Sequence, residues 1–457
     1  MDKIKKHIGI IGAGISGLTL LHYLKRRYQS RTDVKISLYE KEAHAGGTIR
    51  TISKGTYLFE TGPNGFLNSK PQTLKLIEEL GLTNRMISAS ESANFRYLSI
   101  GGKLETIPTS PKQFLTSKLL TPLQKLRIAG EIFIPKGHNA FESVYDFGKR
   151  RLGEGFADMF LDPMVSGIYG GDAKKTILKQ AFPRIYELEQ THGSLFKAML
   201  DLKLKKRNEK ATGMPKGSLT SFPFGMTELL DTLATTYRED IHFNHEVVDI
   251  FEKNGQFSAL INGKTEHFSE VYCSLPAYQM AAVIRSMRQD VSDQLLTMKY
   301  APIAVVGLVY PRTAFMAEPK GFGYLVPSKE KSNVLGVLFE SNIFSGRAPE
   351  GKILFRVMLG GVRNPQIAEK SREELVELAV TEIKSMLQAK DECEDVFFAK
   401  WPKAIPQYDD TYLAIKEKVD RLLIQLPNLH VAANFYRGVS FNDCIEKSFE
   451  IAERSKL

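Results

Sequence analysis

The sequence predicts an α/β fold organised around a doubly wound parallel sheet, and three observations carry that prediction. An apolar strand, Ile8 to Ile11, runs directly into a glycine-rich turn and a helix. A second strand, Lys35 to Tyr39, follows that helix and ends on a carboxylate, Glu40. At 457 residues the chain is longer than one hydrophobic core usually fills, so this βαβ unit should open a molecule of two or three lobes.

The turn comes first. Gly12, Gly14 and Gly17 read G-x-G-x-x-G ahead of a helix predicted over Ile15 to Arg27. Glycines so placed permit a tight turn, a close backbone approach to pyrophosphate, and close helix packing. Glu40, 23 residues after Gly17, stands where a carboxylate accepts hydrogen bonds from ribose hydroxyls. A bare glycine turn explains the glycines but not the strand, helix and acid around them, so a Rossmann-type dinucleotide site follows. The stretch "EKEAHAGGTIRT" adds a second pair, Gly46-Gly47, and then Arg50. A second close backbone approach to a long ligand favours FAD over NAD, although Arg50 reads equally well as a solvated arginine.

Further along, about Phe95 to Lys210 reads as helical periodicity broken by Pro and Gly, as in "TPLQKLRIAGEIFIP" and "ESVYDFGKRRLGEGFADMFLDPMV". Residues 241–275 alternate apolar and polar, with Asn254-Gly255 and Asn262-Gly263 as tight turns. That pattern predicts a β-meander feeding a buried strand, Val271 to Leu275. Between about Pro302 and Gly361, "IAVVGLVY", "GFGYLVP", "VLGVLFE" and "ILFRVMLGG" predict a second sheet. "SREELVELAVTEIKSML" predicts a helix, "LHVAANF" a strand, and "NDCIEKSFEIAERS" a closing helix with Ile445, Phe449 and Ala452 on one face. Asn442 or Asp443 near its N-terminus reads as a plain cap, or as part of a positive helix end aimed at a reduced flavin. With no internal repeat and no low-complexity linker, the lobes should interleave.

Composition excludes more than it selects. Lys and Arg number 62 against 52 acids, a net +10 that favours anionic partners. The basic clusters lie far apart and are not interleaved with aromatics, so nucleic acid is not expected. Three cysteines without CxxC spacing predict no disulfide framework and no metal site, and point to a reducing, cytoplasmic setting. No apolar run reaches the roughly 18 residues of a membrane span. The first strand also begins too early to leave room for a leader, so any membrane contact should be peripheral.

Taken together, "GAGISGL", "EKEAHAGGTIRT", "FETGPNGF" and "HVAANFYRGVSFNDC" resemble the flavin-containing monoamine oxidase superfamily. "FETGPNGF", "LDPMVSGIYGGD", "MPKGSLTSFPFGM", "WPKAIPQY" and "RGVSFNDC" are similar to its oxygen-dependent, FAD-containing protoporphyrinogen oxidases, and the stretches span residues 8 to 444 in the family's order. The resemblance implies a discontinuous Rossmann-type FAD-binding domain (1–88, 212–280 and 396–457). It also implies a mostly helical membrane-binding lobe (89–211) and an interleaved α+β substrate-binding domain (281–395).

Residue by residue, it implies that Gly12, Ala13, Gly14, Ile15, Ser16 and Gly17 hold the pyrophosphate and Glu40 the adenosine ribose, with Lys41, Gly47 and Arg50 close by. Gly62, Pro63 and Asn64 would lie near the flavin ring, the Val247 backbone would meet adenine, and Trp401, Asn434, Val439 and Ser440 would stand at the isoalloxazine end. Ala433 departs from the family's usual glycine there. Arg96 would pair a substrate propionate, Gly171 would face the macrocycle through its backbone, and Leu325, Leu338 and Met358 would form apolar walls. Met358 replaces a Phe common in plant-like members.

The reaction implied removes six electrons and six protons from a porphyrinogen and returns the electrons to molecular oxygen as hydrogen peroxide. No side chain is expected to act as a catalytic base. Gram-positive relatives oxidise coproporphyrinogen III and typically lack the arginine at position 96, so Arg96 inclines the expectation to protoporphyrinogen IX. Leu115, Leu119, Leu120, Leu123, Leu126 and Ile128, set among Lys112, Lys118, Lys125 and Arg127, would present a basic amphipathic surface to an anionic leaflet, or pack on the lobe's own core. A homodimer is left open.

Overall fold

The computed structural model describes residues 4–208 and 217–455. The expected domain boundary at residue 211 lies outside the described residues. A five-stranded sheet forms the base of the molecule in the order Ile241–His242, Val34–Tyr39, Lys6–Ile11, Glu270–Cys273 and Leu429–Val431. Every pairing in it is parallel. Its strands come from the front, middle and end of the chain, which is the interleaving expected of a sequence without linkers. The helix Ile15–Arg27 forms over its predicted span and packs against the closing helix Phe441–Glu453. Leu18, Leu20, Leu21 and Leu24 are fully buried in that layer, each worth about 1.5–3 kcal/mol of transfer free energy.

The meander is present as Val247–Lys253, Gln256–Ile261 and Lys264–Phe268. Both Asn-Gly turns have positive φ at both residues (54° and 80°; 47° and 78°), the geometry that matches the strands' twist. The strand after it is Glu270–Cys273, ending two residues earlier than its pattern suggested. Beyond Cys273 the chain turns away through Ser274-Leu275-Pro276, where proline has no N–H to continue a ladder.

The second sheet has seven strands in the order Asp395–Pro406, Tyr300–Pro311, Lys352–Gly360, Val334–Phe339, Gly323–Leu325, Arg96–Ile100 and Lys103–Thr106. Alternation gives it two different faces. Val306, Leu308, Val337, Phe355 and Val357 form one core with Leu375, Ala379 and Ile383 of the helix Arg372–Leu387. Ser371 and Glu374 close a capping box at that helix's start. Ile303, Val305, Met358 and Trp401 belong to the opposite face, packed with Phe59.

Two expectations need correction. The stretch from Phe95 does not begin as helix: Arg96–Ile100 and Lys103–Thr106 form a hairpin whose turn, Gly101-Gly102, has positive φ at both residues. "RYLSIGGKLET" carries its own hairpin signal, which a wide helical window averages away. Helices begin only at Pro111–Thr116. The apolar stripe beyond it is also split. Leu119, Leu120 and Ile128 are core, whereas Leu115, Leu123 and Leu126 are 68–76% exposed. Lys125 donates to the carbonyls of Leu115 and Ser117, and Arg127 to those of Arg150 and Arg151, so of the four basic residues only Lys112 and Lys118 stay exposed. No helix among the described residues is long and apolar enough to cross a membrane.

All three cysteines are free. Burial pushes the Cys273 thiol up to about 12 and that of Cys444 up to about 11, and half-buried Cys393 is also raised. At pH 8 the folded chain is expected to react with a thiol reagent much more slowly than free cysteine, and denaturant should release all three thiols. Rapid labelling without denaturant would contradict this packing.

Candidate functional site

At the carboxyl ends of the parallel strands lies a cleft of about 530 Å³. It opens beside Lys6–Ile11, where strand connections diverge to either side, the usual place for a ligand in such sheets. Gly12, Gly14, Ile15, Ser16, Glu40, Lys41, Gly47, Arg50, Val247, Trp401 and Asn434 all line it. Eleven of the cofactor residues expected from the sequence therefore converge, although they come from five separate stretches.

The turn shows why each glycine is needed. Gly12 has φ +97°, and a Cβ on Gly17 would lie 1.9 Å from the Gly12 carbonyl oxygen, so the helix cannot approach with any other residue there. At Gly14 a Cβ would meet nothing within 4 Å. No side chain caps the helix that starts after it, and its first turn holds no acid. Unsatisfied N–H groups and the positive end of the helix thus face the cleft, a setting suited to pyrophosphate. The second glycine pair is tied to this turn: Gly46 N–H donates to the Ala13 carbonyl (2.9 Å), and Arg50 Nε donates to the Gly47 carbonyl (3.2 Å).

Glu40 already has partners. One carboxylate oxygen accepts from Ala13 N–H (2.7 Å) and the other from Glu42 N–H (3.0 Å). Each oxygen keeps lone-pair capacity for a hydroxyl, so the acid fixes the turn and remains able to hold a ribose. Ala13 itself is buried behind the turn. Val439 and Ser440 do not line the cleft; Ser440 instead caps the closing helix, its hydroxyl accepting from Asp443 N–H (3.1 Å). Asn434 is held through its carbonyl, which accepts from Tyr408 (2.6 Å).

Gly62, Pro63 and Asn64 also lie off the cleft lining, on a segment joined to it. Trp401 Nε1 donates to the Thr61 carbonyl (3.0 Å), Thr61 N–H donates to the Arg50 carbonyl (2.9 Å), and Arg356 donates to the Gly62 carbonyl. This segment links the cleft to the seven-stranded sheet.

On that sheet, strand register aligns the expected substrate residues. Arg96, Gly323, Leu338 and Arg356 form one cross-strand row. Leu98, Leu325, Gly336, Met358 and Val305 form the row two residues along, so Leu325, Leu338 and Met358 share a face with Arg96 at its outer end. Arg96 is exposed, its guanidinium 4.8 Å from the centre of the Phe322 ring. Gly171 is buried, and a Cβ there would come within 2.8 Å of Gln407 Oε1. A side chain there would displace the Gln407 amide, whose Nε2 donates to the Tyr169 and Ile405 carbonyls. Gly167, one turn earlier, is the glycine that meets the apolar wall, because its Cβ would lie 2.6 Å from Leu325 Cδ2.

Sequence reading missed the opposite wall of the cleft, Ser274, Leu275, Pro276, Tyr278 and Gln279. The signal was a proline closing the strand next to Lys6–Ile11, at the sheet's switch point.

A sequence model described as flavin containing amine oxidoreductase matches residues 15–454. Among curated relatives, the mitochondrial protoporphyrinogen oxidase of Nicotiana tabacum is 29% identical, the match covering 98% of this chain and 94% of that protein. The coproporphyrinogen III oxidase of Staphylococcus aureus is 27% identical, covering 98% of each. A crystal structure of a provisionally named protoporphyrinogen oxidase from Exiguobacterium sp. 255-15 superposes with a TM-score of 0.80 at 21% identity, covering 99% of both chains.

Proposed function

The chain belongs to the flavin-containing amine oxidoreductases, with FAD as cofactor, and on that premise we propose that it oxidises protoporphyrinogen IX to protoporphyrin IX, with molecular oxygen as final acceptor and hydrogen peroxide as product. The observation that carries this reading is the wall described above. An apolar macrocycle fits a face of Leu325, Leu338 and Met358, and a propionate fits the arginine at its edge.

When bound, FAD supplies the acceptor for hydride from a meso carbon. The chain's own work is positioning. The uncapped helix end at Gly14 and the carboxylate of Glu40 hold the cofactor's phosphates and ribose. Trp401 ties the segment Thr61–Asn64 to the cleft. The helix Asp162–Tyr169, packed on the strands carrying Leu325 and Leu338, covers the apolar face and excludes water. Arg96 sets the orientation of the macrocycle through a charge-assisted contact.

The stretch 111–141 exposes Leu115, Leu123, Leu126, Phe133 and Phe141 together with Lys112 and Lys118. It supports peripheral docking on an anionic membrane, where a hydrophobic substrate would reside.

Coproporphyrinogen III oxidation is the second reading, favoured by the full-length similarity to the Staphylococcus enzyme. Aerobic assays that follow porphyrin fluorescence from each porphyrinogen separate the two. Faster turnover of protoporphyrinogen IX is expected; faster turnover of coproporphyrinogen III moves the assignment, and fluorescence from neither rejects both.

A further inference from the structure

Beside the apolar wall, on the same face of the sheet as Leu338 and Met358, Arg356 joins a buried cluster of two carboxylates and two guanidiniums with Glu60, Glu340 and Arg347. Glu60 is well provided for, whereas Arg347 is held only through Nη2, its Nε and Nη1 having no hydrogen-bond partner among the described residues. Glu60 accepts from Met226 N–H (2.8 Å) and Thr51 Oγ1 (2.9 Å), lies 3.7 Å from Arg347, and Arg347 Nη2 donates to Ser221 Oγ (2.8 Å). Glu340 and Arg356 are also short of partners. Neither oxygen of Glu340 has a hydrogen-bond partner among the described residues, nor has Nε of Arg356. Asn64 lies beside Glu340, and its amide nitrogen is unpartnered too. Burial pushes Glu340 up and Arg356 down, each opposed by the charge of the other. A pair so expensive to bury is weak evidence for stability alone. What distinguishes it is where it reaches: Arg356 donates to the carbonyl of Gly62, and Glu340 neighbours Asn64.

We propose that Arg356 and Glu340 are positioning residues that hold the segment Gly62–Asn64 between the cleft and the substrate wall. Both sit on the wall's own strands or at their end. Arg356 is directly opposite Leu338 and two residues before Met358, and Glu340 follows Leu338 by two. The backbone of Gly62–Asn64 is thereby referenced to the residues that would touch the macrocycle, while Trp401 references Thr61 to the cleft. This rests on the porphyrinogen reading above.

The test uses the flavin-loaded full chain carrying Arg356→Met together with Glu340→Leu. Removing one charge of each sign leaves the Glu60–Arg347 pair neutral, so the double variant avoids the stranded charge that a single substitution creates. Expected are flavin content and unfolding temperature like the parent's, a kcat lower by about tenfold or more, and a KM within about threefold. A kcat within about twofold of the parent's would overturn the proposal, because a merely structural pair predicts that recovery. Should the double variant fail to fold, Arg356→Lys decides: it keeps the charge but displaces the donor to Gly62, so the same fall in kcat is expected, and parent-like kcat overturns the proposal. If the parent oxidises neither porphyrinogen, the functional reading fails separately. The positioning role is then read from the bound flavin's absorption spectrum, which the variant should shift; an unshifted spectrum overturns it.

Discussion

Gly14→Val is expected to give a folded chain that carries almost no flavin. Gly14 has φ −72° and ψ 178°, an extended conformation that valine adopts freely. No protein atom lies within 4 Å of the position a Cβ would take, so the fold has room for the side chain. That room is the cleft itself, in front of an uncapped helix end. Branched methyls there would keep a phosphate from the N–H groups it needs. Bound flavin per chain should fall at least about tenfold, the equivalent of about 1.4 kcal/mol, with the far-ultraviolet circular dichroism unchanged. Gly17→Ala provides the contrast, since its Cβ would collide with a backbone oxygen at 1.9 Å and the damage should reach the fold. Absorbance of the purified proteins distinguishes these outcomes, and parent-like flavin in Gly14→Val would take the turn out of cofactor binding.

Arg96→Ala is expected to raise the KM for the porphyrinogen by about tenfold while leaving flavin content unchanged and kcat within about threefold. Hydrogen bonds to charged groups contribute about 1.5–3 kcal/mol, and the exposure of Arg96 places it at the lower end. Because the side chain sits at the edge of the wall, its loss should weaken binding without disturbing the reacting carbons. Arg96→Lys should recover only part of the affinity, as lysine lacks the planar fork that makes a bidentate contact and stacks on Phe322. Steady-state kinetics with both variants test this. An unchanged KM in Arg96→Ala would remove the propionate role.

The elements read correctly from the sequence are those whose signals are local. Helix Ile15–Arg27 has a glycine turn at one end and a basic last turn at the other, and its apolar residues recur at helical spacing. Asn254-Gly255 and Asn262-Gly263 specify their own turns. The lining of the cleft was legible in part because its glycines, Glu40 and Trp401 each stand in a recognisable stretch. What stayed hidden arises from pairing between distant segments. The hairpin at Arg96 belongs to a sheet whose other strands lie two hundred or more residues away. Gly171 packs against Gln407, and Gly167 against Leu325, contacts that neither local sequence announces. The partnership of Arg356 with Gly62 is likewise visible only once the sheet has formed.

A porphyrinogen held on the apolar wall is expected to deliver electrons to flavin held in the cleft. Mixing the flavin-loaded protein with protoporphyrinogen IX in the absence of oxygen tests it in a single turnover. The oxidised flavin absorbance should be lost as substrate is consumed and should return, with hydrogen peroxide, when air is admitted. Flavin that stays oxidised in the presence of protoporphyrinogen IX and of coproporphyrinogen III would contradict it.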